Sequence, residues 1–291
     1  MNAFFETRPS EVASFNKEEL KGDFFKRYSP ISEVLKNHWP EYLIEAASLG
    51  LFMISAFTFA TILEHPASPV HRALPNALLR RFLMGLAMGS TAIAIIYSPW
   101  GKRSGAHINP STTLTFFRLG KIDKWDAMFY VAAQFIGGLL GAICAAVALS
   151  TWASHPAVNY VVTMPGAAGA LAALVAEIII AFILMTVVLN VSSTPALHKY
   201  TGLCAGILVA IYITVEAPIS GMSMNPARTF ASAVPAHYWA YLWIYFVGPL
   251  IGMAGAAEFY LRTRGATVAL CAKLHHQNSQ RCIFCGKPAG V

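Results

Sequence analysis

Charge is scarce in this chain of 291 residues: 12% are Asp, Glu, Lys or Arg, against about 25% in an average soluble protein. Acidic residues are the scarcest, 14 against 21 basic ones. So little charge argues against a soluble enzyme of one or two domains, the default for this length. The polar bias of disordered chains is missing, as is any Gly-X-Y repeat, and five cysteines are too few for a disulfide scaffold. The first 41 residues contain no apolar h-region, so no cleavable signal peptide is expected. What the chain has instead is hydrophobic residues, 56% of the total, and a mean hydropathy of +0.53. Those values require several long apolar runs and indicate an integral membrane protein.

A bilayer core of roughly 30 Å needs about 20 apolar residues in a helix. Six stretches qualify, at about 42–63, 80–98, 125–150, 168–190, 201–218 and 238–261. Each must be helical, because a lone strand leaves its backbone unpaired in lipid. Gly137, Gly138 and Gly141 are spaced for close helix contact. Two further segments, from Asn109 to about Leu119 and from Asn225 to about Pro235, are too short to cross. At 1.5 Å per residue each gives roughly 15 Å of helix, half a membrane. Each opens with Asn-Pro; asparagine is a strong N-cap and proline suits the first helical position. Both are read as half-helices starting in mid-membrane.

The chain also repeats itself. Ser104-Gly105-Ala106-His107-Ile108-Asn109-Pro110 parallels Ser220-Gly221-Met222-Ser223-Met224-Asn225-Pro226, Glu45 parallels Glu177, and Phe135-Ile136-Gly137-Gly138-Leu139 parallels Phe246-Val247-Gly248-Pro249-Leu250. A unit of three spans plus one half-helix is thus used twice. Three is odd, so the second copy enters the membrane inverted, an arrangement typical of transport proteins with a midplane site. The fold class is therefore an all-α membrane protein, six transmembrane helices plus two re-entrant half-helices in an inverted repeat. Residues 1–41 form an N-terminal extension, 42–261 the channel domain (repeats at about 42–150 and 168–261), and 262–291 a tail. With the N-terminus inside, 17 Lys and Arg lie on inner segments against Arg72, Arg80, Arg81 and Arg228 elsewhere. Both termini are expected in the cytoplasm, and the net charge of +7 is topological, so no nucleic-acid partner is expected.

The paired Asn-Pro motifs, the SGAHINP context of the first and the NPAR of the second resemble the aquaporin, or major intrinsic protein, family over about residues 40–262. Ser111 stands where that family usually has alanine, and Tyr97–Arg103 is about one residue longer than usual. The resemblance implies half-helices meeting at the midplane and a homotetramer with one pore per subunit. Two opposed helix N-termini, each worth about +0.5 charge, oppose cations, while the amides of Asn109 and Asn225 can donate to water. Water then passes and ions do not. Arg228 is a charge in membrane territory and a functional candidate; by resemblance it forms the outer constriction. By the same spacing its partners are Ile213, Met222, and Met88 or Gly89. Water-selective members generally carry histidine and an aromatic at two of these positions, so this ring is more apolar and admits small neutral solutes. Thr229, Ala233 and Tyr245-Phe246 instead resemble the water-channel branch. The leading expectation is a passive channel for water, extended to small neutral solutes, and not an enzyme. A glycerol, urea or ammonia facilitator is the alternative, and a proton-coupled transporter using Glu45 and Glu177 is a further one. By symmetry and resemblance, those two glutamates and His107 brace the Asn-Pro loops.

In the tail, Cys282-x-x-Cys285 resembles half of a zinc ribbon, with Cys271 and His275 or His276 available to complete a site; His275 is the candidate taken with the three cysteines. The rival reading is a basic tail with incidental thiols. No other cofactor is expected. A channel gated through this cluster would respond to metal in the full chain but not when truncated at Leu261. Residues 10–38 could form a surface helix, although their amphipathic pattern is poor.

Overall fold

The computed structural model describes residues 30–264 and 271–290. Its six long apolar helices, the spans, are Ile31–Glu64, Ala77–Tyr97, Lys124–Leu149, Gly169–Ser192, His198–Val215 and Ile244–Arg264. The two half-helices are Pro110–Arg118 and Pro226–Ala236. The chain is a multi-pass integral membrane protein. With six spans, the start of span one and the end of span six lie at the same face of the bundle, called here the inner face.

Two boundaries differ from the hydropathy reading. Span one reaches back to Ile31, into the segment read as an extension, because Glu41 in that stretch is fully buried and pairs with Arg103 and Arg281. Of the surface helix read at 10–38, residues 31–38 belong to this span and residues 10–29 lie outside the described residues. Span six starts at Ile244 rather than 238. The preceding Trp239, Tyr241 and Trp243 are exposed in the connecting loop, the placement expected of amphipathic rings at a membrane interface.

The spans pack in three main pairs: one with three, four with six, and two with five. Missing side chains permit each close approach. A Cβ on Gly137 would meet Ala46 O at 2.0 Å, and one on Gly141 would meet Gly50 O at 2.3 Å. On the other pairs, a Cβ on Gly252 would meet Ile178 O at 2.3 Å and one on Gly89 would meet Gly206 O at 2.4 Å. Without a hydrophobic drive between helices in lipid, such contact is what holds them together. Each half-helix packs against spans of both repeats, the first on spans three and six and the second mainly on span three. The half-helices therefore tie the two repeats together at the midplane.

Gly141→Val is expected to push spans one and three apart and cost about 1–3 kcal/mol or prevent folding. Gly255→Ala, whose added carbon has its nearest neighbour at 3.5 Å, is expected to be tolerated. Thermal unfolding in detergent checks the pair, and equal midpoints would contradict this packing account.

Candidate functional site: a polar midplane in an apolar conduit

Before each half-helix the chain crosses the membrane interior as irregular backbone, which needs polar partners there. Both loops adopt the same left-handed pattern. Gly105, Ala106 and Ile108 have φ of +103°, +55° and +42°, and Gly221, Met222 and Met224 have +84°, +50° and +53°. Such values are uncommon outside glycine and strained for a β-branched residue such as Ile108. They persist only where the surroundings over-determine them.

Two buried carboxylates supply that determination. Glu45 accepts from Ser104 Oγ (2.9 Å) and His107 N (3.0 Å) on one oxygen, and from Ile108 N (2.7 Å) and Gln134 Nε2 (3.0 Å) on the other. Glu177 accepts from Ser220 Oγ (2.8 Å), Ser223 N (2.8 Å) and Met224 N (2.7 Å). Ser104 and Ser220 in turn accept from Ala106 N and Met222 N. Tyr130 and Tyr245 donate to the carbonyls of Ser104 and Ser220, at 2.7 and 2.5 Å.

The loops deliver Asn109 and Asn225 head to head. Asn109 Nδ2 donates to Met224 O and Asn225 Nδ2 to Ile108 O, both at 2.7 Å. Their Oδ1 atoms accept backbone N–H groups of the half-helices they cap, from Ser111 at 2.9 Å and from Ala227 and Arg228 at 3.1 and 3.2 Å. An asparagine amide has two N–H donors, so each keeps one beyond the bond to the opposite loop. Both residues line a cavity of about 470 Å³ that runs through the bundle.

Arg228, Ile213, Met222 and Met88 line the same cavity, as do Met84 and Phe52. Of the two span-two candidates, Met88 lines this cavity, whereas Gly89 is spent on the contact with span five. Arg228 is partly buried, and its Nη1 reaches Ser232 Oγ at 3.3 Å. The positions resembling the water-channel branch face elsewhere. Thr229 Oγ1 bonds to Thr163 and Ser223, Ala233 is buried, and Tyr245 holds the Ser220 carbonyl.

At the inner end the cavity is lined by Ile96, Ala106, His107, Val188, Ala205 and, from the tail, Leu274. His107 Nδ1 meets Thr113 Oγ1 at 3.0 Å and Nε2 meets Ala272 O at 2.6 Å. Because a carbonyl can only accept, Nε2 carries the proton. The tail brings Cys271, Cys282 and Cys285 together with His276 rather than His275. His275 points away, its ring 5.3 Å from Tyr97 and 6.5 Å from His198. Arg281 forks onto Glu41, Nε to Oε1 at 2.7 Å and Nη2 to Oε2 at 2.6 Å, a bond that raises the arginine above its ordinary pKa.

Reading the sequence missed the tyrosine pair, Gln134 and the tail residues Leu274 and Phe284. In the repeat alignment Tyr245 stands opposite Gln134, not Tyr130. The two tyrosines reach equivalent carbonyls from positions one helical turn apart, which hides their equivalence.

Glu45→Gln is expected to lower stability by about 2–4 kcal/mol, because a buried N–H is left facing another donor. The midpoint of thermal unfolding reads this directly; an unchanged midpoint would contradict the bracing geometry.

Comparison with known proteins agrees with the architecture. The profile of the major intrinsic protein family matches residues 35–260. The chain is 36% identical to the Zea mays protein "Aquaporin NIP2-3", over 68% of this chain and 64% of that one. It is 35% identical to "Probable aquaporin AqpM" of Archaeoglobus fulgidus, over 62% and 75%. The chain spans about three fifths of the length of several plant relatives, 62% of a Nicotiana alata protein and 59% of an Arabidopsis thaliana one. Among solved structures, the aquaglyceroporin from Plasmodium falciparum superposes with a TM-score of 0.64 at 20% identity, covering 79% of this chain and 98% of that one, a likeness of fold. Matched along most of its length and built on two opposed Asn-Pro half-helices, the chain belongs to the major intrinsic protein family of membrane channels.

Proposed function

We propose that the chain is a passive channel for water and small neutral solutes such as glycerol or urea, with ions and protons excluded. The observation that carries this reading is the distribution of polarity in the cavity. The asparagine amides and Arg228 are fixed on walls made mostly of Met, Ile, Leu, Phe, Val and Ala, with Glu64, Arg81, His107, Thr112 and Ser223 as the other polar side chains on the lining. A solute with several hydroxyl or amide groups can exchange bonds with Asn109, Asn225 and Arg228 while its carbon skeleton passes Met88, Ile213 and Met222. A cation meets Arg228 and two helix N-termini, each worth about +0.5 charge; among the described residues the carboxylate on the cavity lining is Glu64, which pairs with Arg80, while Glu45 and Glu177 lie behind the loops they hydrogen-bond. Those two carboxylates are occupied by loop donors, which speaks for bracing over proton carriage. The Lys and Arg bias puts the inner face in the cytoplasm, and homotetrameric assembly in the bilayer belongs to the same reading.

Stopped-flow light scattering of liposomes tests it, with water, glycerol, urea and ammonia measured side by side on the full chain and on Leu274→Ala, which trims the tail residue at the cavity. Water and glycerol rates are expected to exceed those of empty liposomes roughly tenfold, without saturation, ion current or dependence on a pH gradient. Rates equal to empty liposomes in both chains would reject a channel, and a water rate without glycerol or urea would narrow it to water. Arg228→Ala is expected to raise glycerol flux roughly threefold by removing the fixed charge from the ring; unchanged flux would remove Arg228 from the constriction.

A further inference from the structure

Residues 271–290 run as bends and turns without a helix or strand, yet Cys271, Ala272, Lys273, Leu274 and Cys282 are buried. A segment this short has too little apolar core to hold one conformation and needs a staple. Cys271, His276, Cys282 and Cys285 offer four ligand atoms that all lie within 4.8 Å of one another. Cys271 Sγ and Cys282 Sγ are 3.4 Å apart, and His276 Nε2 and Cys285 Sγ are 3.1 Å apart. Tetrahedral zinc, with bonds of about 2.3 Å to sulfur and 2.0 Å to nitrogen, sets its ligand atoms roughly 3.5–3.8 Å apart. Shifts of a few tenths of an ångström bring these two pairs to that spacing.

The backbone is shaped for the same purpose. Gly286 N donates to Cys282 O at 3.0 Å, and Gly286 has φ of +76°, turning the chain straight after the second cysteine of the Cys-x-x-Cys pair. Charge agrees as well. Three thiolates around a divalent ion leave one net negative charge. Beside them Lys273 is 1% exposed, its ammonium donating to the carbonyls of Lys102 and Arg281, which are dipoles and not a counter-charge.

We propose that Cys271, His276, Cys282 and Cys285 bind one structural zinc ion, and that the zinc-folded tail is a plug seated in the inner mouth of the channel. The contacts that seat it all fall at that mouth. Leu274 lines the cavity and its N–H donates to Gly105 O at 3.2 Å. Phe284, inside the knuckle, stacks on His107 with ring centroids 5.5 Å apart and planes 4° apart, and meets Tyr130 edge-on at 5.6 Å. Arg281 clamps the plug to Glu41 of span one. Losing the metal frees the knuckle and withdraws Leu274 and Phe284 together. The flux half of this proposal rests on the channel reading; the metal half does not.

The experiment uses the full chain. After purification with zinc and removal of excess, elemental analysis is expected to give one zinc per chain. Cobalt(II) in its place is expected to give the thiolate charge-transfer and tetrahedral visible bands, and Cys282→Ser is expected to lose both. Intact mass and elution volume establish that the variant is folded. In liposomes, the zinc-loaded chain is expected to swell several-fold more slowly than the same chain stripped by chelator, while Cys282→Ser and Leu274→Ala swell fast whether or not zinc is present. Substoichiometric zinc, or a Cys271–Cys282 disulfide in the purified chain, would overturn the site. One zinc per chain with flux indifferent to it in a conducting protein would overturn the plug. Absence of flux in every form, Leu274→Ala included, overturns the plug together with the channel reading, and leaves the zinc count to judge the site alone.

Discussion

Everything at the midplane depends on two carboxylates kept where carboxylates are costly. Irregular backbone inside a bilayer leaves N–H groups that neither water nor a regular ladder can satisfy. Glu45 and Glu177 answer that need by each accepting from two consecutive loop N–H groups and a serine hydroxyl. The charge is stabilised by the donors, and the donors are fixed by the charge, so neither is stable without the other. That mutual requirement holds the left-handed residues of both loops, and through them the two Asn-Pro caps. Each asparagine then spends one donor on the opposite loop, which makes the junction of the repeats a closed pair of hydrogen bonds.

The rest of the conduit follows from what is left over. Two helix N-termini and Arg228 put fixed positive charge on the cavity, whereas the walls beside them are largely apolar. With Met88, Ile213 and Met222 on the same cavity as Arg228, the lining offers guanidinium donors together with methyl and thioether groups. Of the residues that resemble a water-selective branch, Thr229 and Tyr245 are committed to holding the second loop.

Much of this was legible before any coordinates. Asn109, Asn225 and their prolines carry local signals, a cap and a first-turn residue, which depend on few neighbours. The six spans follow from the hydrocarbon thickness, and the glycines from the need for close approach. Span boundaries were less legible, because Glu41 looks like a solvated charge until Arg103 and Arg281 are brought to it from 62 and 240 residues away. The histidine of the tail could not be chosen from spacing, since His275 and His276 are adjacent and only the fold decides which one turns toward the thiols. The seating of Leu274 and Phe284 left no trace in sequence, for a short turn-rich segment has no periodicity to reveal the face that packs.

One departure from the two-fold pattern shows why the inner mouth differs from the outer. Ser223 satisfies its hydroxyl within its own loop and half-helix, on Asn225 O and Thr229. Its counterpart His107 is larger, and while Nδ1 reaches Thr113 of its own half-helix, Nε2 must look beyond the repeat, to Ala272 O. A buried N–H that loses its acceptor costs about 1–3 kcal/mol, so departure of the tail is opposed unless something replaces that carbonyl. Water entering the vacated mouth is such a replacement. In the proposed plug, hydration of the inner mouth and release of the tail are thereby coupled at a single imidazole, on the residue two positions before the Asn109 cap.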